Sequence, residues 1–348
     1  MSDLVLGPGG VSRRRFLQGT GMAGAAALGG LTVGGAAAQE TAIWYAGSAV
    51  DAIDAWTKLF QERTGIKVDY VRSGAVQLTQ KFEQEAKAGR VQASILDIAV
   101  PGPGTRWAEQ GLLLKYDCPE YSHYPKGSLI PGYAGPPKAE VLCMAYNPKF
   151  IQADEAPKHW EDLLDPKWKG KMVMSDAASS SGALMWFAAL RNAYGASFME
   201  KLAKQDVVVK TGSGDVVNTV VSGERPLAAM LLQYHVFLAV KKGANLNIIV
   251  PEEGAPISFA LIGIPSKAPN PEVGKKFLDF CLGREAQILW QEKFSTSSLR
   301  DDVPPLLGAN GSRPITQVKH LASSAADVNR YFEEQGTLID EWTTLFKS

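Results

Sequence analysis

The sequence predicts an α/β fold in two lobes, each built on a parallel sheet covered by helices. Three observations carry that prediction. Strand-length apolar runs alternate with helix-length amphipathic runs through most of the chain. The junctions between them are short and made of small residues, among them Gly47-Ser48-Ala49, Ser73-Gly74, Ser181-Gly182-Ala183 and Gly212-Ser213-Gly214. A continuous apolar run at residues 141–146 follows a Pro-, Gly- and Tyr-rich stretch at 119–137, and this reads as a crossing into a second lobe.

Ala42-Ile43-Trp44-Tyr45 is the first strand, leading through Gly47-Ser48 into a helix with apolar residues at Val50, Ile53, Trp56, Leu59 and Phe60. Gly65 stops that helix, because glycine accepts the left-handed terminal conformation without a steric penalty. A second unit follows: strand 66–71, Ser73-Gly74, and a helix from about 76 to 88. The third strand, 95–100, ends in Pro101-Gly102-Pro103-Gly104, which reads as a loop. After the crossing strand come a turn-rich stretch from Trp160 to Gly170, a short strand at Met172-Val173-Met174, and a helix opened by Ser179-Ser180-Ser181. Strand 207–209 leads to a helix through Val221, and the apolar run 227–232 ends in Tyr234-His235. A return crossing is expected near 254–259, then an amphipathic helix at 271–282, then from 304 a Pro/Gly loop and two helical patterns ending at Trp342 and Phe346. The expected division is therefore 1–38 as a leader, 39–140 and 259–310 as lobe 1, 141–258 as lobe 2, and 311–348 as C-terminal helices packing on the lobes.

The start of the helix after Ser179-Ser180-Ser181 carries no Asp or Glu in its first turn. Its N–H groups and the positive end of its dipole are left uncompensated, which is the physics of an anion seat. Serine is also an ordinary N-cap, and capping alone accounts for it equally well.

Composition narrows the class. Of 348 residues, 45% are hydrophobic, with 36 Lys+Arg against 36 Asp+Glu, which excludes a disordered chain and a general nucleic-acid surface. Ser12-Arg13-Arg14-Arg15-Phe16-Leu17, followed by a Gly/Ala-rich run ending Ala36-Ala37-Ala38, resembles a twin-arginine export signal cleaved near Ala38. Removing residues 1–38 takes three arginines and one aspartate, leaving 33 basic against 35 acidic residues. Cys118, Cys143 and Cys281 form no C-x-x-C pair, and Cys143 and Cys281 sit in apolar runs as small buried hydrophobes.

Several segments resemble one family over essentially the whole mature chain. They are Phe60-Gln61-Glu62-Arg63-Thr64-Gly65-Ile66-Lys67-Val68, Asp165-Pro166-Lys167-Trp168-Lys169-Gly170-Lys171, Ser181-Gly182-Ala183, Pro269-Asn270-Pro271-Glu272 with Lys276-Phe277-Leu278-Asp279-Phe280, and Leu299-Arg300-Asp301-Asp302-Val303. The ordered set is similar to the type II periplasmic solute-binding proteins of ABC importers, in the branch that holds ferric-ion, thiamine and 2-aminoethylphosphonate binders. The resemblance implies a two-lobed periplasmic-binding-protein fold with two hinge strands, closure over a ligand, delivery to an inner-membrane permease, and no chemistry on the ligand. A periplasmic monomer without a cofactor is expected, and the N-terminal signal adds passage through the twin-arginine translocase during export.

In the ferric-binding members, the resemblance implies iron held by a His after the first strand, a Glu after the third, and two adjacent tyrosines. Here the corresponding positions read Gly47-Ser48-Ala49, Pro101-Gly102-Pro103 and Tyr234-His235, so only Tyr234 would serve as a metal ligand if iron is carried. Three helix starts remain as donors for an oxyanion: Ser48 and Ala49, Ser73 and Gly74, and Ser181, Gly182 and Ala183. Trp44, Trp186, Tyr234 and His235 are the aromatic candidates, Trp186 with a competing place in the core; Arg72 and Arg106 are candidate cations. The expected ligand is a phosphonate or phosphate-like anion, with iron plus a synergistic anion or a thiamine-type cation as alternatives. An exported hydrolase is the remaining class. No G-x-S-x-G, H-E-x-x-H, Walker or G-x-G-x-x-G motif occurs, and His123, His159, His235 and His320 show no metal-ligand spacing.

Overall fold

The computed structural model describes Val5–Leu6, residues 41–98 and residues 101–347. The expected export signal falls, apart from Val5 and Leu6, outside the described residues, as do the last two positions of the third strand. The described strands are β1 (Val5–Leu6), β2 (Thr41–Ala46), β3 (Lys67–Arg72), β4 (Ile95–Ile98), β5 (Ala134–Tyr146), β6 (Met172–Ser175), β7 (Val208–Lys210), β8 (Leu227–Leu232), β9 (Asn247–Ile249) and β10 (Ile257–Gly263). The helices are α1 (Val50–Thr64), α2 (Ala75–Lys87), α3 (Pro101–Glu109), α4 (Ser181–Tyr194), α5 (Ala196–Ala203), α6 (Ser213–Ser222), α7 (Gln233–Lys241), α8 (Pro271–Leu282), α9 (Arg284–Phe294), α10 (Ala325–Glu333) and α11 (Gln335–Phe346).

The strands follow the order β1-β3-β2-β4-β10-β5-β8-β6-β7, with β9 also on β5. In the first lobe β2 runs parallel to β3 and β4; in the second β6 runs parallel to β7 and β8. The two halves meet at β5 and β10, which pair antiparallel from Ile257 opposite Val141 to Gly263 opposite Ala134. β5 then continues into the second lobe, where it pairs with β8 and β9. Because parallel strands and their helices alternate, the helix starts of each lobe gather at the carboxyl ends of its strands.

Two elements depart from the sequence reading. β5 begins at Ala134, inside the stretch read as a loop, and runs straight through Pro136 and Pro137. Proline has no N–H for the ladder, and the pairing absorbs this with a register irregularity between Ala260 and Ile262 of β10, opposite that dipeptide. The Pro101-Gly102-Pro103-Gly104 segment opens α3 rather than forming a loop. Proline in a first helical turn loses nothing, since N–H groups there have no intrahelical acceptor. Gly65 ends α1 at φ 72°, as read, and α8 spans the predicted 271–282.

Aromatic side chains pack both halves of one hydrophobic core. Trp44 on β2 stacks on Trp56 of α1 with ring centroids 5.9 Å apart, and Trp56 meets Trp290 of α9 at 4.1 Å. In the second lobe Phe187 of α4 meets Trp342 of α11 edge-on at 5.4 Å. The C-terminal α10 packs on both α3 and α4, one from each lobe. Cys118, Cys143 and Cys281 are free and buried. No described helix is long and apolar enough to cross a membrane.

Candidate functional site

The first-lobe side of the site is held by a half-buried aspartate. Asp97 on β4 accepts from the Trp44 indole N–H and the Gly47 backbone N–H, each at 2.8 Å. This pins the loop after β2 at the point where α1 begins. The N-cap of α1 is Ala49, in extended conformation and with no side-chain cap. Next to it, Ser73 donates its N–H to Ala46 at 3.3 Å and Arg72 reaches the Ser48 carbonyl at 3.4 Å, so the α2 start lies beside the α1 start. Gly74 caps α2 without a side chain, and the first turn of α2 holds no acid.

The second-lobe side divides its three serines by task. The Ser179 hydroxyl ties the loop to the Thr211 carbonyl at 3.0 Å, and Ser180 caps α4 by accepting from the Ala183 N–H at 3.3 Å. Ser181 is thereby left exposed at the first helical position, with no acid in that turn. Gly182 packs closely here: a Cβ would come within 3.1–3.4 Å of the Leu232 side chain at the end of β8. That contact brings the starts of α4 and α7 together, since α7 begins at Gln233.

Between the two sides runs β5, whose interior is apolar except for two charges that sequence reasoning passed over. Lys138 extends its ammonium to 3.1 Å from the Ser48 hydroxyl and 5.8 Å from the Trp290 ring. Glu140, two residues on, is 7% exposed, and neither of its carboxylate oxygens has a hydrogen-bond partner. Burial pushes its carboxyl well above the usual range, with Lys138 and the Tyr234 backbone N–H offsetting part of the effect. Burial also raises the Asp97 carboxyl to about 6, against the Gly47 N–H, the Lys138 charge and the Trp44 N–H. The available signal was a Lys-Ala-Glu triplet inside a strand-length apolar run. It went unread because the strand was started at residue 141.

The other predicted residues are distributed as follows. Ser48 is half-buried, Ala49 and Gly74 are exposed, Ser73 is buried, and Gly182 and Ala183 are buried at the α4 start. Trp44 is a correction: at 1% exposure, stacked on Trp56 and bonded to Asp97, it belongs to the core and offers a ligand no surface. Trp186 is fully buried too, 6.0 Å from Trp160. Tyr234 and His235 lie in the first turn of α7, rings 3.9 Å apart, rather than at a strand end. Burial, then the Glu140 charge, raise the Tyr234 phenol to about 12, and burial lowers His235 to about 4. His235 lines a groove of about 520 Å³ between α6 and α7, with Val217, Asn218 and Lys242. Arg106 pairs with Glu83 at 2.7 Å. Among the described residues, the one cluster with metal-ligand spacing is His123, Asp301 and Asp302, and it contains none of these residues.

Among the described residues, the arrangement is two adjacent helix starts in the first lobe, one of them touching Lys138 of the shared strand, and in the second lobe a helix start with no acid in its first turn. The chain is similar to known proteins in family and in fold. A periplasmic protein of Salmonella typhimurium named for 2-aminoethylphosphonate binding is 27% identical over 256 residues, covering 71% of this chain and 73% of its own length. Iron-bound HitA of Pseudomonas aeruginosa superposes with a TM-score of 0.73 at 22% identity, covering 86% of this chain and 99% of HitA. AfuA of Actinobacillus pleuropneumoniae, solved with exogenous fructose-6-phosphate, gives 0.68 at 22% identity, covering 88% and 98%. These two structures share the α/β periplasmic-binding-protein fold of type II. The family description "bacterial extracellular solute-binding protein" matches residues 96–310, more than half of the sequence. The chain belongs to that family, whose members bind solutes and are not enzymes, and it is the substrate-binding component of an ABC transporter.

Proposed function

We propose that the mature chain works in the periplasm, captures a small solute through a phosphonate or phosphate-like group, and delivers it to an inner-membrane ABC permease. The observation that carries this is the Lys138 ammonium at 3.1 Å from Ser48, set among helix starts that bring no acid to their first turns at α2 and α4. Backbone N–H groups, a serine hydroxyl and one cation match the three oxygens and negative charge of such a group. The relative named for 2-aminoethylphosphonate supports the phosphonate class. Residues 1–38 act in this reading as a twin-arginine signal, and the delivered protein is a monomer whose lobes meet at the strands near residues 141 and 258.

An iron carrier fits less well. Tyr234 is the single phenol at the matching position, and its raised pKa disfavours the phenolate a ferric ion needs. The test is thermal unfolding of ligand-stripped mature protein against 2-aminoethylphosphonate, phosphate, thiamine, and chelated ferric iron with and without phosphate. A ligand at one hundred times its Kd adds about 2.7 kcal/mol, worth several degrees at this size. A shift with a phosphonate or phosphate alone is expected. A shift that requires iron, or one given only by thiamine, overturns the reading.

A further inference from the structure

We propose that Glu140 accepts a primary ammonium carried by the same ligand, so that the solute is a zwitterion with an amine a short alkyl chain from its anionic group. The inference rests on the anion-binding reading above and deepens it. Its basis is that the only carboxylate among the buried, unpartnered polar atoms of the described residues lies on the strand shared by the lobes. A carboxylate in that state is costly unless something completes it, since an unsatisfied buried acceptor loses its water without replacement.

The chain itself does not complete it. Lys138 is near enough to influence Glu140 electrostatically, yet neither Glu140 oxygen has a hydrogen-bond partner, and the Lys138 ammonium is directed to Ser48 in the first lobe. From the second lobe the Tyr234 backbone N–H, at the start of α7, acts on Glu140, though neither carboxylate oxygen has a hydrogen-bond partner. On the same strand Cys143 feels the Glu140 charge but is a buried thiol bonded to the Leu231 carbonyl. The bridge between Ala139 and Ser297 sets Thr296 opposite Glu140, and the Thr296 hydroxyl is likewise buried and unpartnered. An acid and a hydroxyl without partners thus share one face beside Lys138. Cation and acid two residues apart on one strand match a ligand with its opposite charges a few bonds apart. An entering ammonium would form a charge-assisted hydrogen bond with the carboxylate, and any proton held on Glu140 would leave to solvent.

The test is isothermal titration of the mature protein and its Glu140→Gln variant with 2-aminoethylphosphonate and with ethylphosphonate, which lacks the amine. The unmodified protein is expected to prefer the amine-bearing ligand by roughly 10- to 100-fold. Glu140→Gln should lose that preference while holding ethylphosphonate within about threefold, the scatter expected of a neutral change. Glu140→Asp, which keeps the charge one methylene shorter, should recover part of it, and a thermal melt of each variant reports that it is folded. Equal affinity of the unmodified protein for both ligands, or an undiminished preference in Glu140→Gln, overturns the ammonium subsite and leaves the anion reading standing. Binding of neither compound overturns the anion reading and the subsite with it.

Discussion

The Lys138 ammonium stands 3.1 Å from the Ser48 hydroxyl, joining the strand common to both lobes to the first helix start of lobe 1. The half-buried side chain also sets its ammonium 5.8 Å from the centre of the Trp290 ring. Lys138→Met keeps the apolar stem and removes the charge. It should weaken phosphonate or phosphate binding by roughly 10- to 100-fold, the worth of a charge-assisted hydrogen bond. Titration calorimetry reads this directly, and an unchanged Kd would remove Lys138 from the site.

Ser181→Asp places a carboxylate on the exposed first position of α4, where no acid now stands. Negative charge at a helix start favours the helix by roughly 0.3–1 kcal/mol. The variant should therefore melt at or slightly above the parent temperature while losing anion binding. The two effects oppose each other, which separates loss of the seat from loss of the fold. Retained affinity in a folded variant would sink the anion seat at α4.

Most of the fold was legible because local and global signals agree in it. The alternation of apolar runs, Gly65 at a left-handed helix end, and the Asn270-Pro271 helix start each need only neighbouring residues to be understood. What escaped depends on partners distant in sequence. Pro136 and Pro137 argue locally against a strand, and only the irregular pairing with β10 makes room for them. Trp44 shows a polar-capable ring next to a candidate loop, yet its role is decided by Asp97, 53 positions away, and by Trp56 behind it. The site suffered in the same way. The small-residue helix starts were visible, but Lys138 and Glu140 lay between the stretch read as loop and the strand started at 141, and the burial that gives Glu140 meaning is a property of the assembled sheet.

Asp97 gives the stability a pH dependence of definite sign. Burial raises its carboxyl to about 6 in the folded chain, against an ordinary value of about 3.9 in the unfolded one. Between those values the folded chain keeps a proton that the unfolded chain has released. Stability from this group is therefore greatest below about pH 4 and declines as pH rises through about 6, by roughly 3 kcal/mol in all. Asp97→Asn keeps an acceptor for Gly47 or Trp44 and cannot titrate. The difference in unfolding free energy between parent and variant, from urea melts at several pH values, should shift against the parent across that interval. A difference independent of pH would mean that Asp97 is ionised throughout, held down by Lys138 and its two N–H donors.

Trp342 tests whether the C-terminal helix supports the site from behind. It is fully buried, packs edge-on against Phe187, and donates its indole N–H to Asp176 at 3.2 Å. Asp176 follows β6, accepts from Lys347 at 2.6 Å on its other oxygen, and receives the Ser180 N–H on its carbonyl, so it anchors the loop that presents Ser179, Ser180 and Ser181. Burial works to raise the Asp176 carboxyl, but Lys347, the Ala178 N–H and Trp342 together leave it below the usual range. Trp342→Ala removes the ring and the donor, and should cost about 3–5 kcal/mol, chiefly through the cavity. Trp342→Phe retains most of the packing and loses one donor, for a cost nearer 0.5–1.5 kcal/mol, because Asp176 Oδ1 keeps the Ala178 N–H at 3.0 Å. If the helix does hold the loop, the phenylalanine variant should also lose ligand affinity by a few-fold at temperatures where it is fully folded. Full affinity in that variant would confine the C-terminal helix to a role in stability, with the α4 start held by the Asp176 carbonyl and the Ser179–Thr211 contact.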